Sequence, residues 1–172
     1  MLALIEKYQL DLTKLNVLTE AASGPYLLNP LIACQAGAQT VVCKVKNSRF
    51  ASAEFVKQEI LKRADEYGFL NKIRVKMELS SQDYSSADII TNSGHLRPIS
   101  KHQIRLMKET AVIPLMWETW EFHGGYLDIQ ACKENNILVM GTNESCPPCD
   151  MTNYGAAFGL KLLFETGLEI TN

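Results

Sequence analysis

Six short runs rich in branched and apolar residues recur along the chain, at 16–20, 40–45, 73–77, 87–91, 111–116 and 137–141. They lack polar alternation, which is how strands read when both faces of a sheet are covered. Helical patterns fall between most of them. Residues 53–67 place Val56, Ile60 and Ala64 on one stripe, with Ser52 as a cap and Gly68 as a stop. Ser100 and Gln103 form a capping box before Ile104 and Met107. Residues 26–36 end at Gly37, a natural C-terminal glycine, and Pro30 bends that helix or restricts it to its early turns. Further helices are expected at 127–135 and 150–166, while the link 79–86 is too short for a full one. Alternation of this kind predicts an α/β fold: a doubly wound, mostly parallel six-stranded sheet with helices on both faces. The expected strand order is 3-2-1-4-5-6, with a ligand cleft at the carboxyl ends of strands one and four.

At 172 residues and 47% hydrophobic, the chain suits a single domain, 1–172. Within it we expect an N-terminal helical segment (1–15), a nucleotide-binding core (16–143) and a C-terminal helix (150–166). A net charge of −2 gives no electrostatic case for nucleic acid or a membrane surface as partner. No apolar run approaches the ~20 residues of a membrane helix. Glu6 and Lys7 come too early for a signal peptide, so the expected location is cytoplasmic. The five cysteines are then expected to be reduced thiols, and Asn143-Glu144-Ser145 is a chance glycosylation match.

Four segments carry candidate chemistry. After strand one the chain reads EAASGPY, and Ser23, Gly24, Pro25 and Tyr26 form a small-residue turn with proline at the first helical position. Such a turn is an anion seat or a plain tight connection; Glu20 before it either orients a polar ligand or caps a backbone N–H. After strand two, KVKNSR holds no acid for a ribose diol, whereas Lys46, Ser48 and Arg49 suit a ribose 2′-phosphate; the rival reading is a solvated basic loop. After strand four come Asn92, Ser93, Gly94 and His95. After strand five, MWETWEFHGG sets Trp117, Glu118 and Glu121 on the rim, with Asn143 and Glu144 at the end of strand six. Glu118 or Glu121 beside His95 or His123 would make an acid/base couple, because a carboxylate fixes a histidine tautomer; alternatively the tryptophans pack a subunit interface. The three histidines lack HxxxH or HExxH spacing, so no metal is expected. Cys146-Pro147-Pro148-Cys149 stands before a helix N-terminus as thioredoxin-type motifs do, or it is a rigid proline loop.

The ADIITNSG…I…MK…AVI pattern, followed by ILVMGTN, resembles the second half of the NAD(P)-binding domain of 2-hydroxyacid dehydrogenases. It is similar also to adenosylhomocysteinase and alanine dehydrogenase. The resemblance implies a Rossmann-like fold and places Asn92, Ser93 and Gly94 near the nicotinamide-side ribose. Three departures accompany it: one glycine in the first turn, no ribose acid, and no arginine just after strand five. The substrate domain of those enzymes is also missing.

These readings converge on a dinucleotide-binding domain, NADP rather than NAD. It belongs to a homo-oligomer or to a larger protein. If it is an oxidoreductase, His95 exchanges the proton with Glu118 as partner. An adenosyl-methionine-dependent methyltransferase and a non-catalytic nucleotide sensor or oligomerisation module are the alternatives.

Overall fold

The computed structural model describes residues 2–118, 124–143, 147 and 152–167, apart from the side chains of 117, 118, 142, 152 and 153. Six strands form one sheet: β1 (Asn16–Glu20), β2 (Thr40–Lys44), β3 (Ile73–Lys76), β4 (Ile89–Ile90), β5 (Val112–Glu118) and β6 (Leu138–Thr142). Their order is β3-β2-β1-β4-β5-β6, the doubly wound arrangement anticipated from the alternating pattern. β1 lies at the centre, with Leu18 in register with Val42 of β2 and Ile90 of β4, both parallel. β2–β3 and β4–β5 are parallel too.

Helices cover both faces. On one, α2 (Leu28–Gln35) and α3 (Ala53–Glu66) pack Leu31, Cys34, Val56 and Ile60 against Val17, Val41, Cys43 and Ile73. On the other, α4 (Ser81–Ser86), α5 (Lys101–Ile104) and α6 (Ile129–Glu134) bring Tyr84, Ile104 and Cys132 against Leu18, Ile90, Ile113 and Leu115. Neighbouring residues of one strand enter opposite clusters, as the pleat requires. A short α1 (Leu2–Lys7) buries none of its residues.

Local chemistry explains the boundaries. Ser52 accepts the Phe55 N–H and caps α3, and Gly68 beyond it adopts φ +73. Gly37 follows α2 at φ +97, where a Cβ would stand 2.9 Å from Thr13 Oγ1. Pro30 falls in the first turn of α2, which a 3₁₀ turn, Gly24–Leu27, precedes; proline is tolerated there because early N–H groups lack intrahelical acceptors. The Ser100–Gln103 capping box is present. The link before β4 holds the six-residue α4 after all, started by a second box, Ser80–Asp83. β4 itself is two residues long, shorter than the run at 87–91, yet Asp88 N–H to Asn16 O and Thr91 N–H to Leu18 O continue its bonding to β1.

Residues Met1–Gly141 and Thr142–Asn172 form two compact units. The second contains α7 (Thr152–Glu165), an apolar helix as the spacing at 150–166 predicts. Among the described residues no helix is long and apolar enough to cross a membrane.

Candidate functional site

The carboxyl ends of β1, β2, β4 and β5 meet at an open cleft of about 690 Å³, within the ~300–1,000 Å³ usual for small-molecule sites. From the turn after β1 come Ser23, Gly24, Pro25 and Tyr26. Ser23 is extended (φ −65, ψ 158) and makes no side-chain cap bond, leaving its hydroxyl uncommitted to the helix start. Gly24 takes φ +67 with no atom within 4 Å of a Cβ position, a left-handed backbone that glycine adopts without strain.

From the loop after β2 come Ser48 and Phe50. The loop is tied down by its own polar groups. Ala53 N–H donates to Asn47 Oδ1 at 2.8 Å, and Phe50 and Ala51 N–H both donate to Ser48 Oγ. Ser48 therefore already spends acceptor capacity on its own turn. Arg49 lays its guanidinium 4.6 Å from the Phe50 ring centroid, and Lys46 stands half-buried on the same loop.

The floor is built by β1 and the loop after β4. Glu20, 3% exposed at the end of β1, accepts the His95 backbone N–H on Oε2 at 2.6 Å. The same oxygen lies 4.0 Å from His95 Nδ1, a buried atom with no hydrogen-bond partner. Arg97 donates from Nε and Nη2 to the Asn92 carbonyl at 2.9 and 2.6 Å and from Nε to Asn92 Oδ1 at 3.2 Å. Its guanidinium carbon stands 4.9 Å from the Tyr126 ring centroid. Burial pushes the Arg97 guanidinium down from its ordinary value, while Glu20, Tyr126 and Tyr26 oppose that; an arginine stays charged under such shifts. One carboxyl, one imidazole and one guanidinium thus share a partly dry floor.

Gly94 and His95 line this cleft. Asn92 and Ser93 do not: both are fully buried, Asn92 bonded to Arg97 and Ser93 Oγ to the Thr91 hydroxyl at 3.0 Å. Lys46 and Arg49 belong to the loop that carries Ser48 but are not among the residues lining the cleft. On β5 the described side chain at the cleft is Met116; the side chains of Trp117 and Glu118, and the whole of Glu121 and Glu144, lie outside the described residues, and so do Cys146 and Cys149. Asn143 is exposed in the second unit. Arg97 and Phe50 escape a reading of the sequence, and Glu20 stays there between two roles. The usable signal for Arg97 is a lone cation in the otherwise uncharged stretch 89–100; for Glu20 it is an acid ending a strand that is otherwise uncharged.

Cys34, Cys43 and Cys132 are free and buried, and burial pushes their thiols up to about 11, 12 and 11. They are core side chains rather than nucleophiles. Among the described residues no cluster of three His, Cys, Asp or Glu could hold a metal ion.

No protein-family model and no curated protein matches the sequence, but solved structures match the fold. It is similar to a dipicolinate synthase polypeptide from Bacillus halodurans, at TM-score 0.60 and 14% identity over 94% of this chain and 51% of that one. The fold is a Rossmann-type one. The dipicolinate synthase counterpart from Bacillus subtilis matches at TM-score 0.59 and 16% identity, over 95% and 50%. Shikimate 5-dehydrogenase from Listeria monocytogenes, solved in complex with shikimate and NAD, matches at TM-score 0.54 and 8% identity, over 81% and 50%. The chain spans about half the length of each of these.

Proposed function

We propose that the Met1–Gly141 unit binds an NAD(P)-type dinucleotide in this cleft, as a dehydrogenase-like oxidoreductase or its cofactor-binding domain. The observation that carries the proposal is convergence. The turn after β1, the loop after β2 and the loop after β4 line one cavity at the point where the strand order reverses, which is where such sheets hold nucleotides. The Rossmann-type likeness to a shikimate dehydrogenase solved with NAD supports the same reading, and nothing in those likenesses favours the methyltransferase alternative.

NADP fits better than NAD. The loop after β2 offers Lys46 and Arg49 and no acid to accept hydrogen bonds from a ribose diol. A bound nicotinamide would supply the hydride. His95, at the cleft, is the group able to hold or deliver the accompanying proton. Its described carboxyl neighbour is Glu20, which takes the partner role in this proposal. Glu118 stays a candidate partner on the sequence reading, with Trp117 and Glu121 as candidate substrate-side residues; their side chains lie outside the described residues.

Thermal shift with NADP, NAD and adenosyl-methionine tests this. NADP should raise the melting temperature most; saturation at 100 times Kd contributes about 2.7 kcal/mol. No shift with either dinucleotide, or a shift with adenosyl-methionine alone, would overturn the proposal. Replacing Lys46 and Arg49 together by alanine should weaken NADP more than NAD, and an equal loss would remove the 2′-phosphate assignment. His95→Gln should leave NADP affinity within a few-fold and abolish hydride transfer; retained transfer would sink its role.

A further inference from the structure

Buried carboxylates are paired, because burial strips away the hydration that a lone charge needs. Glu20 is paired on one oxygen only. Its side chain is 4% exposed. Oε2 takes the His95 backbone N–H and has Gly94 against it, where a Cβ would stand 3.6 Å away. Oε1 accepts no hydrogen bond from any described residue. Among the described residues, the enclosed side-chain atoms without a partner are Arg63 Nε, Asn92 Nδ2 and His95 Nδ1. Glu20 Oε1 is not one of them, so it opens on the cleft that Glu20 lines.

No ammonium or guanidinium among the described residues pairs with that oxygen. His95 Nδ1 stands 4.0 Å from Oε2, beyond hydrogen-bond reach. Arg97 lines the same cleft, yet its Nε and Nη2 donate to Asn92 rather than to Glu20. The walls are aromatic: Tyr26 and Phe50 line the cleft at 46% and 72% exposure. Aromatic faces attract cations, as the Arg49 guanidinium over the Phe50 ring illustrates. A carboxylate oxygen accepts its strongest hydrogen bonds from charged donors. An alcohol would satisfy the oxygen and leave the charge; an acid would be repelled.

We propose that the floor of the cleft is an ammonium subsite. Glu20 Oε1 accepts a hydrogen bond from the protonated primary amine of a ligand whose carbon stem meets the Tyr26 and Phe50 rings. Only the step from ligand to substrate rests on the dinucleotide reading: beside a bound nicotinamide, the amine is the substrate class that reading leaves unnamed.

An amide NMR titration of the full chain tests this, with the His95 N–H as reporter because it shares the Glu20 carboxyl. Propylammonium chloride should shift that resonance to saturation. Propanol and sodium propionate, at equal concentration and ionic strength, should leave it in place. Glu20→Gln keeps an acceptor for the His95 N–H without the charge, and should weaken propylammonium by about tenfold to a hundredfold. Should Glu20→Gln fail to fold, Glu20→Asp, which draws the charge back by one methylene, should weaken it too. An equal response to propanol, an undiminished response in the Glu20 variant, or no response to propylammonium would overturn the proposal. No dinucleotide is present in this titration. A failed NADP thermal shift beside a saturating propylammonium response therefore removes the dinucleotide reading alone, and the reverse pair of results removes the amine alone.

Discussion

A carboxyl group buried at the end of a central strand needs a donor to offset lost hydration, and Glu20 finds one in the His95 N–H. That bond crosses from β1 to the loop after β4, so one side chain sets where the imidazole stands. Glu20→Ala should strand the His95 N–H and cost about 1–3 kcal/mol in urea unfolding. It should also weaken NADP binding by loosening the loop. Glu20→Gln keeps an acceptor oxygen and should lose much less on both counts. Equal effects of the two substitutions would mean that the cavity, not the hydrogen bond, matters. At this scale the sequence tells only half of the site. Gly24, Tyr26, Ser48 and His95 are readable because each follows a strand that local pattern reveals. Asn92 and Ser93 follow one as well, but their burial depends on Arg97 and Thr91, and Arg97 reaches Asn92 only once the loop after β4 has closed on itself.

Single boxes and ties decide where elements start. Asp83, on α4, accepts from the Ser80 N–H and hydroxyl and from Lys76 Nζ of β3 at 2.7 Å. Burial alone would raise its carboxyl. Lys76 and Ser80 together outweigh that and hold it below the usual carboxylate range. A folded value below the unfolded one of about 3.9 means the group stabilises the fold above that pH. The contribution is lost as pH falls through the folded value. The gap in urea midpoint between wild type and Asp83→Asn should therefore be full near neutral pH and close on acidification below about pH 4. A gap independent of pH would remove the ionic account. The caps at Ser52 and Ser100 stand out in the sequence because long or clearly amphipathic segments follow them. The box at Ser80 does not, since the SQDYSS of α4 carries no apolar stripe, and the tie to β3 holds it rather than any periodicity.

In the Met1–Gly141 unit, two hydrophobic clusters on opposite faces draw on the same central strands, and that sharing should make the two faces unfold together. β1 sends Val17 into the cluster under α2 and α3 and Leu18 into the one under α4–α6; the strand order is readable from sequence because parallel alternation admits few topologies. Leu18 is fully buried and in register with both Val42 and Ile90. Leu18→Ala should cost about 2–5 kcal/mol, as large-to-small changes in packed cores do. Cys43 and Cys132 report the reach of that loss, one in each cluster, both shielded and both held far from thiolate at neutral pH. Labelling by a thiol reagent then requires opening. If the unit is cooperative across the sheet, Leu18→Ala accelerates labelling of the two cysteines by the same factor, read peptide by peptide in a mass spectrometer. Faster labelling of Cys132 alone would mean that the faces open independently. The cleft, fed by loops from β1, β2 and β4, would then be assembled from parts of unequal stability, and bound NADP should protect Cys43 and Cys132 to different extents.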